Sequence, residues 1–335
     1  MRYCLWMLLL LLPACQEETG IWLAEGWRAQ VVAEYADELP DMQVLSADER
    51  FLYQTCEARS NQLSPSLARI DLKSGKREIL LYGLDRADGL KLGPEGKLWI
   101  GEETGDGLVW QIEQPALLPA EQRVDRIRLA SSDRRIRPLL AAGRMMHEGL
   151  AFSHDYKFLY LADEWAEGCL YRLHVLDGRL QVFNARKGWL DIPDPAKARI
   201  EAERLHGRLF ERPEDMEGLP DGRILIAETG NGDNTGRIWA LTDVGDQPEL
   251  TVYLEDARIH HPDNLEWDAR RGWLWISDDD DPSHLWAWDG NKLTEIARHD
   301  MAEITGVESS PGGDIYINVQ HRIGGPDLTL RLQDG

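Results

Sequence analysis

One unit, repeated around the chain, limits the fold more than any other feature of this sequence. In its clearest copy, His260-His261-Pro262-Asp263-Asn264-Leu265-Glu266-Trp267 leads through a turn at Ala269 to Gly272 into Trp273-Leu274-Trp275-Ile276-Ser277 and an acidic exit, Asp278 to Asp281. The plan is a polar entry, a short strand, a turn, a second strand and a polar exit, as short antiparallel strands read. It recurs at Arg212-Pro213-Glu214-Asp215, at His147-Glu148-Gly149-Leu150, at Ala87-Asp88-Gly89-Leu90 and at Ile304-Thr305-Gly306-Val307, and more weakly from Met42-Gln43-Val44-Leu45. Most copies continue into a third aromatic or aliphatic run, such as Val109-Trp110-Gln111-Ile112 or Leu285-Trp286-Ala287-Trp288.

Steps of 60, 66, 49 and 42 residues separate Asp88, Glu148, Glu214, Asp263 and Thr305. The shorter steps match a four-stranded propeller blade and the longer ones require insertions. Six copies therefore predict an all-β, six-bladed β-propeller. The last copy is short of a fourth strand, and the alternating stretch Gly26 to Glu34 is expected to supply it and close the ring. Two additions are expected: an Arg-rich surface loop over 115–138, and a short amphipathic helix within 193–210 that buries Ala196, Ile200, Leu205 and Leu209.

A propeller accommodates all of 15–335 as one domain, and it uses the 13 Trp between sheets and the 30 Gly at turns. A formal charge of −22 argues against a nucleic-acid partner, which needs a basic face. Residues 1–14 read as a leader, with basic Met1-Arg2 before an apolar core, Leu5 to Leu12, too short to span a bilayer. Leu12-Pro13-Ala14-Cys15 resembles a bacterial lipoprotein cleavage box, with Cys15 as the lipidated first residue and an ordinary cleaved leader as the alternative. Gln16 after the cysteine resembles the outer-membrane sorting pattern, so a monomer anchored in the cell envelope, facing the periplasm or the cell surface, is expected. Cys56 and Cys169 then remain, as buried thiols or a cross-channel disulfide.

The first strand of each propeller blade lines the channel, so residues entering these strands meet at one mouth. Asp88, Glu148, Glu214, Asp263 and Asn264 are expected there, with the acids closing the second strands: Glu57, Glu102, Glu103, Asp163, Glu228 and Asp278. Carboxylates at such spacing repel and raise one another's pKa unless a cation joins them. Calcium suits an all-oxygen site. Asp48, Asp155, Asp221 and Asp268 read instead as turn formers, and Asp279 to Asp281 as a solvated run. Arg212 could clamp an anion with two hydrogen bonds or brace the acids. His147 and His261, each just before a channel acid, read as packing residues by default, with metal binding as the alternative.

Several of these segments, taken in order, resemble the PhoX-type alkaline phosphatases: Thr55-Cys56-Glu57, His147-Glu148-Gly149, Arg212-Pro213-Glu214-Asp215, Pro262-Asp263-Asn264-Leu265, Glu303-Ile304-Thr305-Gly306 and Ile317-Asn318-Val319-Gln320-His321. The resemblance implies a phosphomonoesterase acting on small phosphoesters with iron and calcium at the channel mouth. It makes Cys56 an iron ligand and Glu57, Glu148 and Glu214 metal-bridging carboxylates, with Arg212 and Asn264 on the phosphate. A calcium-dependent lactonase of the gluconolactonase type, needing neither Cys56 nor Arg212, and a non-catalytic binding propeller are the competing expectations.

Overall fold

The computed structural model describes residues 19–35, 38–58, 64–230, 236–243 and 247–335. Asn231 and the leader with Cys15 lie outside them. The chain forms six sheets, antiparallel except for one added outer strand, whose innermost strands are Pro40–Leu45, Ala87–Leu92, His147–Phe152, Pro213–Gly218, Pro262–Asp268 and Glu303–Ser309. Each inner strand packs against the next, and the sixth against the first, so the sheets are blades 1 to 6 of a closed ring. Trp27–Tyr35 pairs with Asp327–Asp334 and completes blade 6, as the alternation in that segment predicts.

Apolar alternation along each strand explains the packing, because every blade is apolar on both faces and must be covered twice. Six apolar clusters fill the six gaps between neighbouring blades. Five are broad. Among the described residues, the gap between blades 6 and 1 buries a cluster of four, Leu45, Leu52, Ile70 and Tyr316, with Val32, Ala33 and Leu72 partly buried against it. A polar network supplements it: the Tyr35 hydroxyl donates to Gln54 Oε1 at 2.5 Å, and Gln54 Nε2 donates to Asn318 Oδ1 at 3.0 Å.

Three departures from expectation concern the additions. The insertion after blade 2's third strand is not a plain loop: Gln122–Asp125 pairs in parallel with Lys76–Tyr82 and widens blade 1, and Ile136–Pro138 is blade 2's fourth strand. The helix over blade 3 runs Ala198–Arg204 and buries Ala198 and Ala202, while Ile200 and Leu209 are exposed. Its short turn presents small residues inward, so the expected face was rotated. A further strand, Ile21–Leu23, pairs with Leu293–His299 on the outer edge of blade 5.

Candidate metal centre

Every inner strand carries an irregularity two residues long. Register with the second strand breaks after Pro40, Ala87, His147, Pro213, Pro262 and Thr305. A bulge re-aims side chains locally. In blades 1 to 5 its first residue is acidic: Asp41, Asp88, Glu148, Glu214 and Asp263. In blades 2 and 3 its second residue is glycine, and in blade 6 its first residue is Gly306, and this has a steric cause. A Cβ on Gly89 would lie 2.0 Å from the Glu148 carbonyl oxygen, and one on Gly149 would lie 2.3 Å from that of Glu214. The blades approach too closely there for any side chain.

These five acids and Glu303 of blade 6 form one ring around a cavity of about 170 Å³ at the mouth where the inner strands begin. A second ring comes from the residue just past the end of each second strand: Glu57, Glu103, Glu164, Thr229, Asp279 and His321. Arg86 and Arg212 complete the lining. Both precede an inner strand and hold the left-handed conformation, with φ of 47° and 56°, which non-glycine residues adopt uncommonly. Ten carboxylates thus face two guanidiniums.

Neither arginine is free. Arg212 Nη2 lies 2.9 Å from Glu164 and 3.0 Å from Glu214, and Arg86 pairs with Glu57 and with Glu103. Two groups of carboxylates each bring oxygens within 4.8 Å of one another: Asp88, Glu103 and Glu148, and Glu148, Glu164 and Glu214. Two full charges at that distance repel by about 3–4 kcal/mol at an effective dielectric constant near 20. Protons or cations must relieve this. Burial first, and neighbouring carboxylates second, push Asp41 to about 7 and Glu214 to about 8. Asp88, Glu148, Asp263 and Glu303 rise well above the carboxylate range for the same two reasons. Burial and contact with Glu164 raise Glu103 to about 10.

The residues fit a hard divalent cation. All donors are carboxylate oxygens, which suit calcium, magnesium or manganese. Asp88 Oδ1 and Glu164 Oε2 are buried without a hydrogen-bond donor, and an orphaned buried oxygen calls for a partner.

The structure brings Glu57, Glu148, Glu214 and Asp263 together around the cavity, with Arg212 at its rim. It leaves out four of the expected second-strand acids. Glu102 is held by Arg126 at 2.7 Å, Asp163 by Arg199 at 2.5 Å, Glu228 by Trp239 Nε1 at 2.7 Å and Asp278 by Trp286 Nε1 at 2.7 Å. The reason is parity. These residues end their strands and point into the blades, and the next residue points into the channel. Cys56 occupies the same strand-end position. It is buried beside Arg77 and Glu38, and burial pushes its thiol to about 12. It therefore lies off the cavity, where an iron ligand would be needed. Cys169 is likewise a free buried thiol, so no disulfide links the two. Asn264 is the second residue of its bulge: its Oδ1 accepts from Gly306 N at 2.5 Å and lies 2.7 Å from Thr305 Oγ1. It braces blade 5 on blade 6 and does not line the cavity.

Sequence reasoning missed Asp41, Glu164, Asp279 and Glu303. Pro40-Asp41 aligns with Pro213-Glu214 and Pro262-Asp263, so the signal was present one residue before the assumed start of the first copy. Asp279 belongs to the mouth instead of a solvated run. His147 packs, with Nε2 3.2 Å from the Gly143 carbonyl, and burial lowers it to about 4. His261 Nδ1 meets Asp280 at 2.6 Å. Asp48, Asp155 and Asp221 accept from backbone N–H groups two residues on, as turn formers do. Asp268 does the same, and is also buried against Arg271.

No family model matches the chain, and no curated protein matches it. Among solved structures, a gluconolactonase from Xanthomonas campestris is similar, with a TM-score of 0.59 and 15% identity, covering 92% of this chain and 90% of that one. The PQQ-bound aldose sugar dehydrogenase of Streptomyces coelicolor gives 0.57 and 13%, covering 93% and 99%. A virginiamycin B lyase from Staphylococcus aureus gives 0.53 and 15%, covering 92% and 99%. At such identities the likeness establishes the propeller. It overturns the resemblance to PhoX-type phosphatases: the structural neighbours are gluconolactonase- and sugar-dehydrogenase-type propellers, and no family model restores the link. The cavity agrees. A phosphate dianion would meet ten carboxylates and two arginines already committed to them.

Proposed function

We propose that this protein is a metal-dependent hydrolase of cyclic esters, a lactonase, working at the carboxylate-lined mouth of the propeller. The observation that carries the reading is the pair of three-carboxylate groups sharing Glu148. The structural likeness to a gluconolactonase supports it. Asp88, Glu103 and Glu148 would hold one divalent cation, and Glu148, Glu164 and Glu214 a second; calcium is the ion that the donor set favours. A bound cation supplies polarisation of the ester carbonyl and a more acidic water.

The chain's own residues do the rest. Arg212 and Arg86 each stand between two acids and hold those carboxylates in place around the cavity. Asp41 belongs to neither three-carboxylate group and is held at about 7, which suits it to accept a proton from the attacking water near neutral pH. The ring C–O bond then breaks and the alkoxide takes up that proton, giving a hydroxy acid.

The test is turnover of glucono-δ-lactone and of simple alkyl lactones by the purified full chain, with chelator and after calcium is restored. Chelation should abolish hydrolysis and calcium should recover it. Tight calcium binding with no lactone opened anywhere in the panel would refute the enzyme and leave a cation-holding binding propeller.

A further inference from the structure

We infer that the face of the propeller bearing the cavity lies against a lipid bilayer, held there by the N-terminus. The inference concerns placement and stands independently of the reaction proposed above.

The described chain begins at Thr19, and its exit point is fixed. Ile21 pairs with His299, the last residue of blade 5's fourth strand. Fourth strands end on the side where inner strands begin, so the N-terminus leaves from the cavity side of the ring. The Cys15 of the lipoprotein-like box is four residues before Thr19. Four residues reach at most about 14 Å however they are arranged. An acyl anchor on Cys15 therefore cannot pass around the blade to the other face, which places the bilayer at this face or at the adjoining rim of blade 5, and the exposed residues around the exit favour this face.

The surface around the exit suits that contact. His299 sits at its centre: Met301 N donates to His299 Nδ1 at 3.2 Å, and burial first, with the Arg322 charge second, lowers the His299 pKa. Around it Met301 is 56% exposed, Ile323 75% and Trp22 42%. The Arg298 guanidinium stacks on Trp22 with 5.3 Å to the ring centre. Apolar Met301 and Ile323 beside Trp22 suit the headgroup boundary, while Arg298 is shared with Glu295 at 3.4 Å and with Asp300 at 3.3 Å, which leaves the patch without excess positive charge. The patch adjoins the cavity, because His321 and Glu303, 3.8 Å apart, belong to its lining. The acidic mouth repels anionic lipid, and a zwitterionic surface is the occupant that the charges favour.

The experiment uses the full chain, processed and lipidated in cells and reconstituted into phosphatidylethanolamine–phosphatidylcholine vesicles that carry a headgroup nitroxide. A fluorophore is attached through Met301→Cys, Ile323→Cys or Leu176→Cys. Leu176 is 90% exposed in a turn on the opposite face, and the native thiols are buried. Quenching should be several-fold stronger at 301 and 323 than at 176. The Cys15→Ser chain should melt like the parent and stay in the supernatant when vesicles are sedimented. Equal quenching at all three positions, stronger quenching at 176, or undiminished sedimentation of Cys15→Ser overturns the proposal.

Discussion

The two ends of the channel bury acids in opposite ways. At the far end Glu217, Glu266 and Glu308 come from the inner strands of blades 4, 5 and 6. Each has a donor from the chain itself. Lys91 Nζ lies 3.0 Å from Glu217 and 3.6 Å from Asp215, Ser309 donates twice to Glu266, and Leu45 N donates to Glu308 at 2.7 Å. Burial would lower the Lys91 pKa, but Asp215, Glu217 and Glu266 outweigh it and raise it. At the cavity end ten carboxylates share two arginines. The far end is largely matched by the sequence, through Lys91 and these hydrogen bonds, although burial first and neighbouring acids second still raise Glu266 well above the carboxylate range and Glu308 to about 8. The cavity end has far more acids than donors and is finished only when something positive arrives, and that difference of degree separates a structural acid cluster from a candidate site.

The contrast can be broken most forcefully at the far end. Lys91→Met strands its acids in a buried place and should cost about 3–5 kcal/mol of stability, measured by denaturant unfolding, while the cation affinity of the other mouth stays unchanged. A loss of cation binding would show that the ends are not independent. Glu148→Gln, at the other end, replaces the carboxylate that both groups share with a neutral amide. Cation affinity and lactone turnover should fall by about 100-fold or more, by calorimetry and by assay, yet the metal-free protein should melt higher than its parent because like charge has been removed. A lower melting temperature in the absence of metal would mean that Glu148 is already compensated.

Acidity gives a third, milder probe. The folded Asp41 and Glu214 hold their protons to about 7 and 8, whereas unfolded carboxylates release them near 4. The folded state therefore binds more protons between those limits. Its stability is greatest at the acid end, below about pH 4 for these groups, and is lost as pH rises through 7 to 8. Melting of the metal-free protein at pH 5 and pH 8 should show this fall, and saturating calcium should flatten it. The smallest effect is expected from Cys56→Ser. It should leave bound metal and turnover intact and cost only about 1–2 kcal/mol for a hydroxyl placed in a buried thiol's site. Loss of metal from this variant would return Cys56 to the cavity chemistry.

Much of the ring was legible in the sequence because repetition and alternation are long-range regularities. The entry acids Glu148, Glu214 and Asp263 were found for that reason, and so was the closing strand at Gly26 to Glu34. What was not legible turned on single-residue offsets. A bulge shifts register by one position, and whether Glu102 or Glu103 faces the channel depends on parity, which no composition or motif records. Asp41 is hard to see in the sequence because the first copy is the weakest, and its entry acid stands one residue before the apolar run Met42 to Leu45. The phosphatase resemblance failed similarly: short motifs lie in the right order, but Cys56 and Asn264 point away from the cavity that the resemblance requires them to line.

The seam between blades 6 and 1 carries a consequence for biogenesis. It joins the earliest strand of the ring to the latest, and it has the fewest buried apolar residues, relying on the directional contacts of Tyr35, Gln54 and Asn318. A chain that emerges end-first must hold Trp27–Tyr35 in waiting until Asp327–Asp334 has been made, with five blades already stacked and two raw edges showing. Nascent molecules would be most exposed to proteases and to mispairing with one another in that interval, and the latch that ends it is the ring's last contact to form.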